Sequence, residues 1–290
     1  MLADPLAKYS FPFFNKEVAE FSVKYGYRAL PLHFHEVILS FALYNTLFYV
    51  SGFLSPKLSK SYRTLSPKTQ INYDIHVVST VQSILILILS FPLFGDETLA
   101  VDRINAYTPY AGFVGAMATG YFLWDSIICI RYVHMFGIGF MVHGVAALFV
   151  FIQGFRPYLM WYTPAFLLFE ISTPFVNMHW FSTRLPEGTI PEKIQIINGV
   201  LLMTTFFSAR ILWGFYQAYK VLMDLLYLQS PITDGTLMPP VSHPWWVPVA
   251  VLGSNVSLDI LNVYWFSKMV RIVKRRIAAE KRKETDKKNA

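Results

Sequence analysis

Five ionisable side chains, Asp125, His143, Glu170, Arg210 and Asp259, stand inside stretches that are otherwise almost wholly apolar. An ionisable group in hydrocarbon costs about 2.5–3.5 kcal/mol on insertion scales, so such residues face protein or a water-filled cavity. Two arrangements would offset that cost. Arg210 could pair with Glu170 or Asp259 and fix helix packing, with asparagines as further glue. Alternatively, the five could line one polar chamber. Spacing adds direction: Glu170 and Asn177 are seven apart and share a helix face. Pro174 cannot donate to the carbonyl of Glu170, so a kink is expected there that frees this carbonyl, with Ser172 and Thr173 at hand for the disturbed backbone. Asn255, Asp259 and Asn262 follow i, i+4, i+7 and form a polar stripe. His134 and His143 lie about half a turn out of phase, which leaves His143 as the inward candidate and His134 at the membrane edge.

Other groups carry less. His33, His35 and Glu36 are metal-ligand types, but they open an apolar run at an interface with no further ligand nearby in sequence, so no metal is expected. Cys129 lies in an apolar run and reads as packing. Asn255-Val256-Ser257 matches a glycosylation acceptor inside a span, out of the enzyme's reach. Phosphate-cradling loops, Cys/His metal spacing, a G-x-S-x-G elbow and repeated transporter halves are all lacking.

The elements that must position these residues follow from composition. The 290 residues are 54% hydrophobic and 15% charged, with a mean hydropathy of +0.40, whereas a soluble domain carries about a quarter charged residues. A bilayer core about 30 Å thick needs roughly 20 apolar residues as a helix. Seven stretches qualify, near 33–54, 75–95, 109–131, 134–152, 157–181, 196–228 and 245–270. The expected fold is an all-α polytopic membrane helix bundle of about seven transmembrane helices. The five ionisable groups would then share a depth between the midplane and the cytosolic leaflet.

Of the 25 Lys and Arg, ten lie from Lys268 onward, which reads as a basic cytosolic tail beside anionic lipid rather than a nucleic-acid surface. With that tail in the cytosol, seventeen basic residues fall on its side and six on the other, as the positive-inside rule requires. The first 31 residues are mixed and charged, so no cleavable signal peptide is expected. The terminal Lys287-Lys288-Asn289-Ala290 resembles a dilysine signal, read by coat machinery, that returns membrane proteins to the endoplasmic reticulum.

The succession RTLSPKTQINYDIHVVSTVQS, GYFLWDSI, MVHGVAALFVF, FEISTPFVNMHWF and NGVLLMTTFFSARILWG resembles the TLC-domain family, multi-span helical proteins mainly of the endoplasmic reticulum. The resemblance covers residues 57–275, six spans, between an N-terminal segment 1–56 with the first helix and a basic tail 276–290. It is greatest for small fungal members. It carries over to Asp125, His143, Glu170, Asn177 and Arg210. The ceramide synthases of this family bear an adjacent histidine pair and, later, an acidic pair; here His143 stands between Val142 and Gly144, Asp224 stands alone, and Gln82 replaces a histidine many members have. Three functions are implied. One is lipid handling or lipid homeostasis, with Glu170, Asn177, Arg210 and Asp259 around a headgroup. Another is acyl transfer, with His143 as base or acyl acceptor, Asp125 or Glu170 orienting it, Arg210 on a phosphate or oxyanion, and acyl-CoA as co-substrate. The last is cargo handling in the early secretory pathway. The partners implied are membrane lipids and coat machinery, with no nucleic acid and no resident cofactor.

Overall fold

The computed structural model describes residues 2–9, 15–227 and 243–289. Most of the expected loop at 229–244 lies outside that description, as do the side chains of Lys287 and Lys288.

Helix α1 spans Asn15–Tyr25 and α2 spans Leu30–Leu58. Helices α3 (Pro67–Ser90) and α4 (Pro109–Arg131) start alike: a Ser66 or Thr108 hydroxyl accepts an orphan amide, and a proline follows at the first helical position. A proline there sacrifices no hydrogen bond, because that amide has no partner within the helix. The turn after α4 ends at Gly137, whose φ of +87° suits glycine and reverses the chain into α5 (Ile138–Gln153). The fourth span therefore begins four residues later than the sequence suggests, and its 16 residues reach about 24 Å.

The fifth span is composite. It runs as α6 (Thr163–Leu167), a tight 3₁₀ segment Leu168–Ser172 and α7 (Thr173–Arg184). The sixth joins α8 (Glu192–Phe206) to α9 (Trp213–Tyr227) through a widened π turn at Phe207–Leu212. The last helix, α10, spans Trp246–Asn289. Among the described residues, Leu30–Leu58, Pro67–Gly95, Pro109–Arg131, Glu192–Tyr227 and Trp246–Arg275 are each long and apolar enough to cross a membrane. With the shorter α5 and the composite fifth span, this is the expected all-α bundle.

Neighbour relations close a ring. Helix α3 packs on the fifth span, the fifth on the sixth, the sixth on α10, α10 on α5, α5 on α4, and α4 back on α3. Helix α2 lies outside this ring, against α4 and α3. That cover makes α4 the buried helix: 78% of its apolar window is inside, against 22% for α2. Close approach needs small residues; a Cβ on Gly120 would fall 2.6 Å from the carbonyl oxygen of Val37 on α2.

Candidate functional site

The interior of the ring gathers most of the groups singled out from sequence. Glu170 sits on the 3₁₀ segment because Pro174, lacking an N–H, cannot close a normal α turn onto its carbonyl. That carbonyl is not left free, contrary to expectation: the N–H of Thr173 donates to it across the tighter turn. Arg210 projects from the π turn, the kind of local widening that recurs at functional sites.

Arg210 is buried, and two neutral hydroxyls hold it. Its Nε donates to Ser172 Oγ at 2.9 Å and its Nη2 to Thr173 Oγ1 at 3.0 Å, while the guanidinium lies over the Phe206 ring at 5.2 Å. Ser172 also donates to the Phe169 carbonyl at 3.2 Å, so the hydroxyls steady both the kinked backbone and the cation. Glu170 and Tyr121 are within electrostatic reach of Arg210, and His143 is as well. Asp125 in turn lies within reach of Glu170. Among the described residues, no ion pair under 4 Å joins Arg210 to Glu170 or Asp259, so the pair the sequence allowed does not form.

His143 rests its ring against Trp265 of α10, with centroids 5.5 Å apart. Among the described residues it makes no hydrogen bond to Asp125 or Glu170. Asp125 points to the neighbouring backbone instead: its Oδ2 lies 2.9 Å from where a Cβ on Gly144 would stand, and Cys129 Sγ approaches its Oδ1 at 3.7 Å. The cysteine thus touches the cluster as well as packing.

Asn177 has a different employment. Its Oδ1 meets His76 Nδ1 at 2.7 Å, and its Nδ2 donates to Ser79 at 3.2 Å and Thr80 at 2.9 Å, all on α3. The amide is fully occupied in joining α7 to α3, which leaves it little capacity for a ligand. His76 stacks on Trp180 at 4.4 Å. Asp259 is half-buried beside Gly214 of α9, with Oδ1 3.6 Å from a Cβ built there. Of its polar stripe, Asn255 and Asn262 are the members that turn fully inward.

Sequence reasoning passed over several contributors. Tyr44 on α2 and Tyr121 on α4 stack edge-on at 5.1 Å and bring α2 to the cluster; tyrosines in apolar runs gave no signal. His76, Ser79, Thr80 and Ser83 follow i, i+3, i+4, i+7, and that stripe could have been read. Buried polar atoms without a partner among the described residues include Tyr44 Oη, both amide atoms of Gln82, Trp124 Nε1, Ser126 Oγ, Asn255 Nδ2 and Asn262 Oδ1. Buried groups of this kind call for water or a polar ligand.

The cluster is packed among rings, with Phe206 against Arg210 and Trp265 against His143. A groove of about 450 Å³ opens on the outer side between α5 and α10, lined by Met141, Val142, Val145, Ala146, Phe149, Ala250 and Ser254. It is apolar, and His143 is not among the residues that line it. A second space of about 30 Å³, between Gly112, Gly115, Phe151 and Tyr162, lies at the opposite end of α5 and does not reach the cluster.

The face where α4 begins is built tightly. Arg103 Nε and Nη2 both reach Asp224 at 2.6 Å, and the Tyr162 hydroxyl donates to the same carboxylate. These hydrogen bonds push Arg103 above its ordinary value. Asp224, solitary in sequence, is therefore paired in space. His243 meets Asn105 Oδ1 at 2.8 Å and the Tyr158 ring at 4.3 Å; burial, with Arg156 nearby, lowers its pKa from 6.5 to about 4.

No further ligand lies near His33, His35 and Glu36 in sequence, but one comes near in space. Asp4, from the N-terminal segment, closes on the group, and the ligand atoms of Asp4, His33 and Glu36 all lie within 4.8 Å of one another. His33 and Glu36 are wholly buried at the start of α2.

Comparison with known proteins identifies relatives of the chain. The family profile described as TLC domain matches residues 72–271. A TLC domain-containing protein of Schizosaccharomyces pombe is 39% identical over 265 residues, covering 91% of this chain and 87% of the relative. Topoisomerase I damage affected protein 4 of Saccharomyces cerevisiae is 33% identical, covering 84% and 85%. The TLC domain-containing protein 4 of Homo sapiens is 31% identical, covering 80% and 85%.

Proposed function

The chain belongs to the TLC-domain family, and we propose that it is a lipid-handling protein of the endoplasmic reticulum membrane whose polar cluster receives a lipid headgroup. The observation that carries this reading is Arg210. A guanidinium has five N–H donors, and here two of them go to neutral hydroxyls, with no carboxylate among the described residues within pairing distance. Such a cation keeps its capacity for bidentate contact with a phosphate. The unpartnered atoms of Gln82, Tyr44, Asn255 and Asn262 supply further donors and acceptors. The apolar groove between α5 and α10 suits an acyl chain. The excess of Lys and Arg on the side of the last helix's end supports a cytosolic C-terminus.

Acyl transfer from acyl-CoA by His143 is the alternative. It needs a carboxylate on the imidazole, and Asp125 is aimed at Gly144 instead. A small rotation on binding could close that contact, since catalytic hydrogen bonds often tighten only in the complex. The test is intact-mass and lipid mass spectrometry of the detergent-purified chain, with His143→Ala and Arg210→Ala beside the wild type. A phospholipid retained by wild type and His143→Ala but lost from Arg210→Ala is expected. An acyl adduct present in the wild type and lost in His143→Ala would establish the transferase instead. For the compartment, co-localisation of a tagged chain with an endoplasmic reticulum marker is expected; a plasma-membrane signal would refute it.

A further inference from the structure

At the start of α2, outside the residues matched by the family profile, three ligand-bearing side chains meet. Glu36 Oε2 lies 2.8 Å from His33 Nδ1, and Asp4 Oδ2 lies 3.6 Å from the same nitrogen. Ligands around a tetrahedral zinc, each about 2.0–2.2 Å from the ion, sit roughly 3.3–3.5 Å from one another. The observed separations bracket that edge.

The surroundings orient each ligand. Asp4 Oδ1 accepts from the Leu6 N–H at 2.8 Å, which turns Oδ2 toward His33. His33 Nε2 meets the Tyr107 hydroxyl at 2.8 Å. If the ring donates there, as metal-bound imidazoles donate to an outer partner, the Nδ1 lone pair faces two carboxylate oxygens. Glu36 is 0% exposed, and its Oε1 has no hydrogen-bond partner among the described residues. His35 Nε2, 3.7 Å from that oxygen, bonds the Leu6 carbonyl and braces the same segment. Two carboxylates with side-chain exposures of 3% and 0% cannot stay ionised together without a nearby positive charge. Gly112 on α4 makes the room, because a Cβ there would fall 2.0 Å from His33 Nε2.

We propose that Asp4, His33 and Glu36 bind one divalent metal ion of the zinc class, through Oδ2, Nδ1 and Oε2, clipping the N-terminal segment to α2. Two oxygens and one imidazole nitrogen suit zinc or manganese and disfavour copper(I), which selects sulfur. A bound water would complete the tetrahedron.

The experiment uses the full chain in detergent, stripped with chelator, equilibrated with Zn²⁺ and desalted, with bound metal counted by mass spectrometry and thermal unfolding followed in parallel. Wild type and the exposed control His134→Ala are expected to retain one zinc per chain and to gain stability from it. Asp4→Asn and Glu36→Gln are expected to lose about tenfold or more in retention and to show no zinc-dependent stabilisation. If Glu36→Gln does not fold, Asp4→Asn, which alters a segment outside the helices, decides alone. A wild type that retains no zinc would mean that protons bridge the carboxylates, and the proposal fails. It fails equally if Asp4→Asn holds zinc within tenfold of the wild type.

Discussion

Arg103 and Arg210 make the same two-donor grip in opposite company. Arg103 clasps the Asp224 carboxylate with both nitrogens at 2.6 Å, and Tyr162 completes the shell. Arg210 grips two neutral hydroxyls at 2.9 and 3.0 Å, deeper in the bundle, with Glu170 near but not bonded. Around Arg103 the charged groups are paired off, although the Tyr158 hydroxyl and His243 Nδ1 have no partner among the described residues. Asp102 caps its turn through the Ile104 and Asn105 amides at 3.0 Å, and Asn105 meets His243. The bundle interior also holds buried polar atoms without a partner among the described residues, those of Tyr44, Gln82, Asn255 and Asn262 among them. The first region is a lock that fixes loops on one face of the ring, whereas the cation of the second is bonded only to neutral groups among the described residues. A protein that binds through a buried site tolerates such unspent polarity there, at some cost in stability.

Four substitutions would break or sharpen that contrast. The largest effect is expected at the lock. Asp224→Ala leaves Arg103 and Tyr162 unmatched and should cost about 3 kcal/mol, read as a lowered unfolding midpoint in detergent with no change in lipid retention. Asn177→Ala should come next, at about 2 kcal/mol, because His76, Ser79 and Thr80 all lose a buried partner. If it instead strips lipid and leaves stability intact, Asn177 belongs to the site and not to the frame.

His243 gives the lock a pH signature. Its folded value near 4 lies below the ordinary 6.5, so the unfolded chain binds more protons between those values. The stabilisation is complete above about pH 6.5 and is lost as pH falls toward 4. After allowance for partial exposure the effect is about 1 kcal/mol. Subtracting the stability profile of His243→Gln from that of the wild type isolates it, and a difference that is flat between pH 7 and 4 would refute it.

The smallest change in stability is expected at Glu170. Glu170→Gln removes a charge from the cluster without breaking any ion pair, and should alter the unfolding midpoint by less than about 1 kcal/mol, in either direction. The same substitution should change the yield of bound anionic lipid, and an increase is expected because a negative neighbour of Arg210 is gone. A loss of several kcal/mol would mean that Glu170 and Arg210 do form a structural pair.

Much of the fold was legible because the bilayer is a strict solvent. Every span must satisfy its own backbone in a solvent that accepts only apolar side chains, so apolar runs such as 33–54 and 75–95 announce helices α2 and α3. Breaks were harder to read. The short α5 and its start at Gly137 depend on a local φ of +87°, and the π turn around Arg210 leaves no mark in composition. Glu170 and Arg210 were recognisable as costly residues, and Pro174 as a cause of bending. Their companions were not.

The sequence by itself determined that this chain is a membrane helix bundle, roughly where its spans lie, and that charged groups stand in several of them, since each of these follows from the free energy of moving residues into hydrocarbon. Tertiary structure alone decided who meets whom. It gave Arg210 to Ser172 and Thr173 rather than to a carboxylate, Asn177 to α3, Asp224 to Arg103 from 121 residues away, and Asp4 to His33. Such partnerships depend on the rotation of each helix in the ring and on loops folding back over its face, and no local periodicity encodes them.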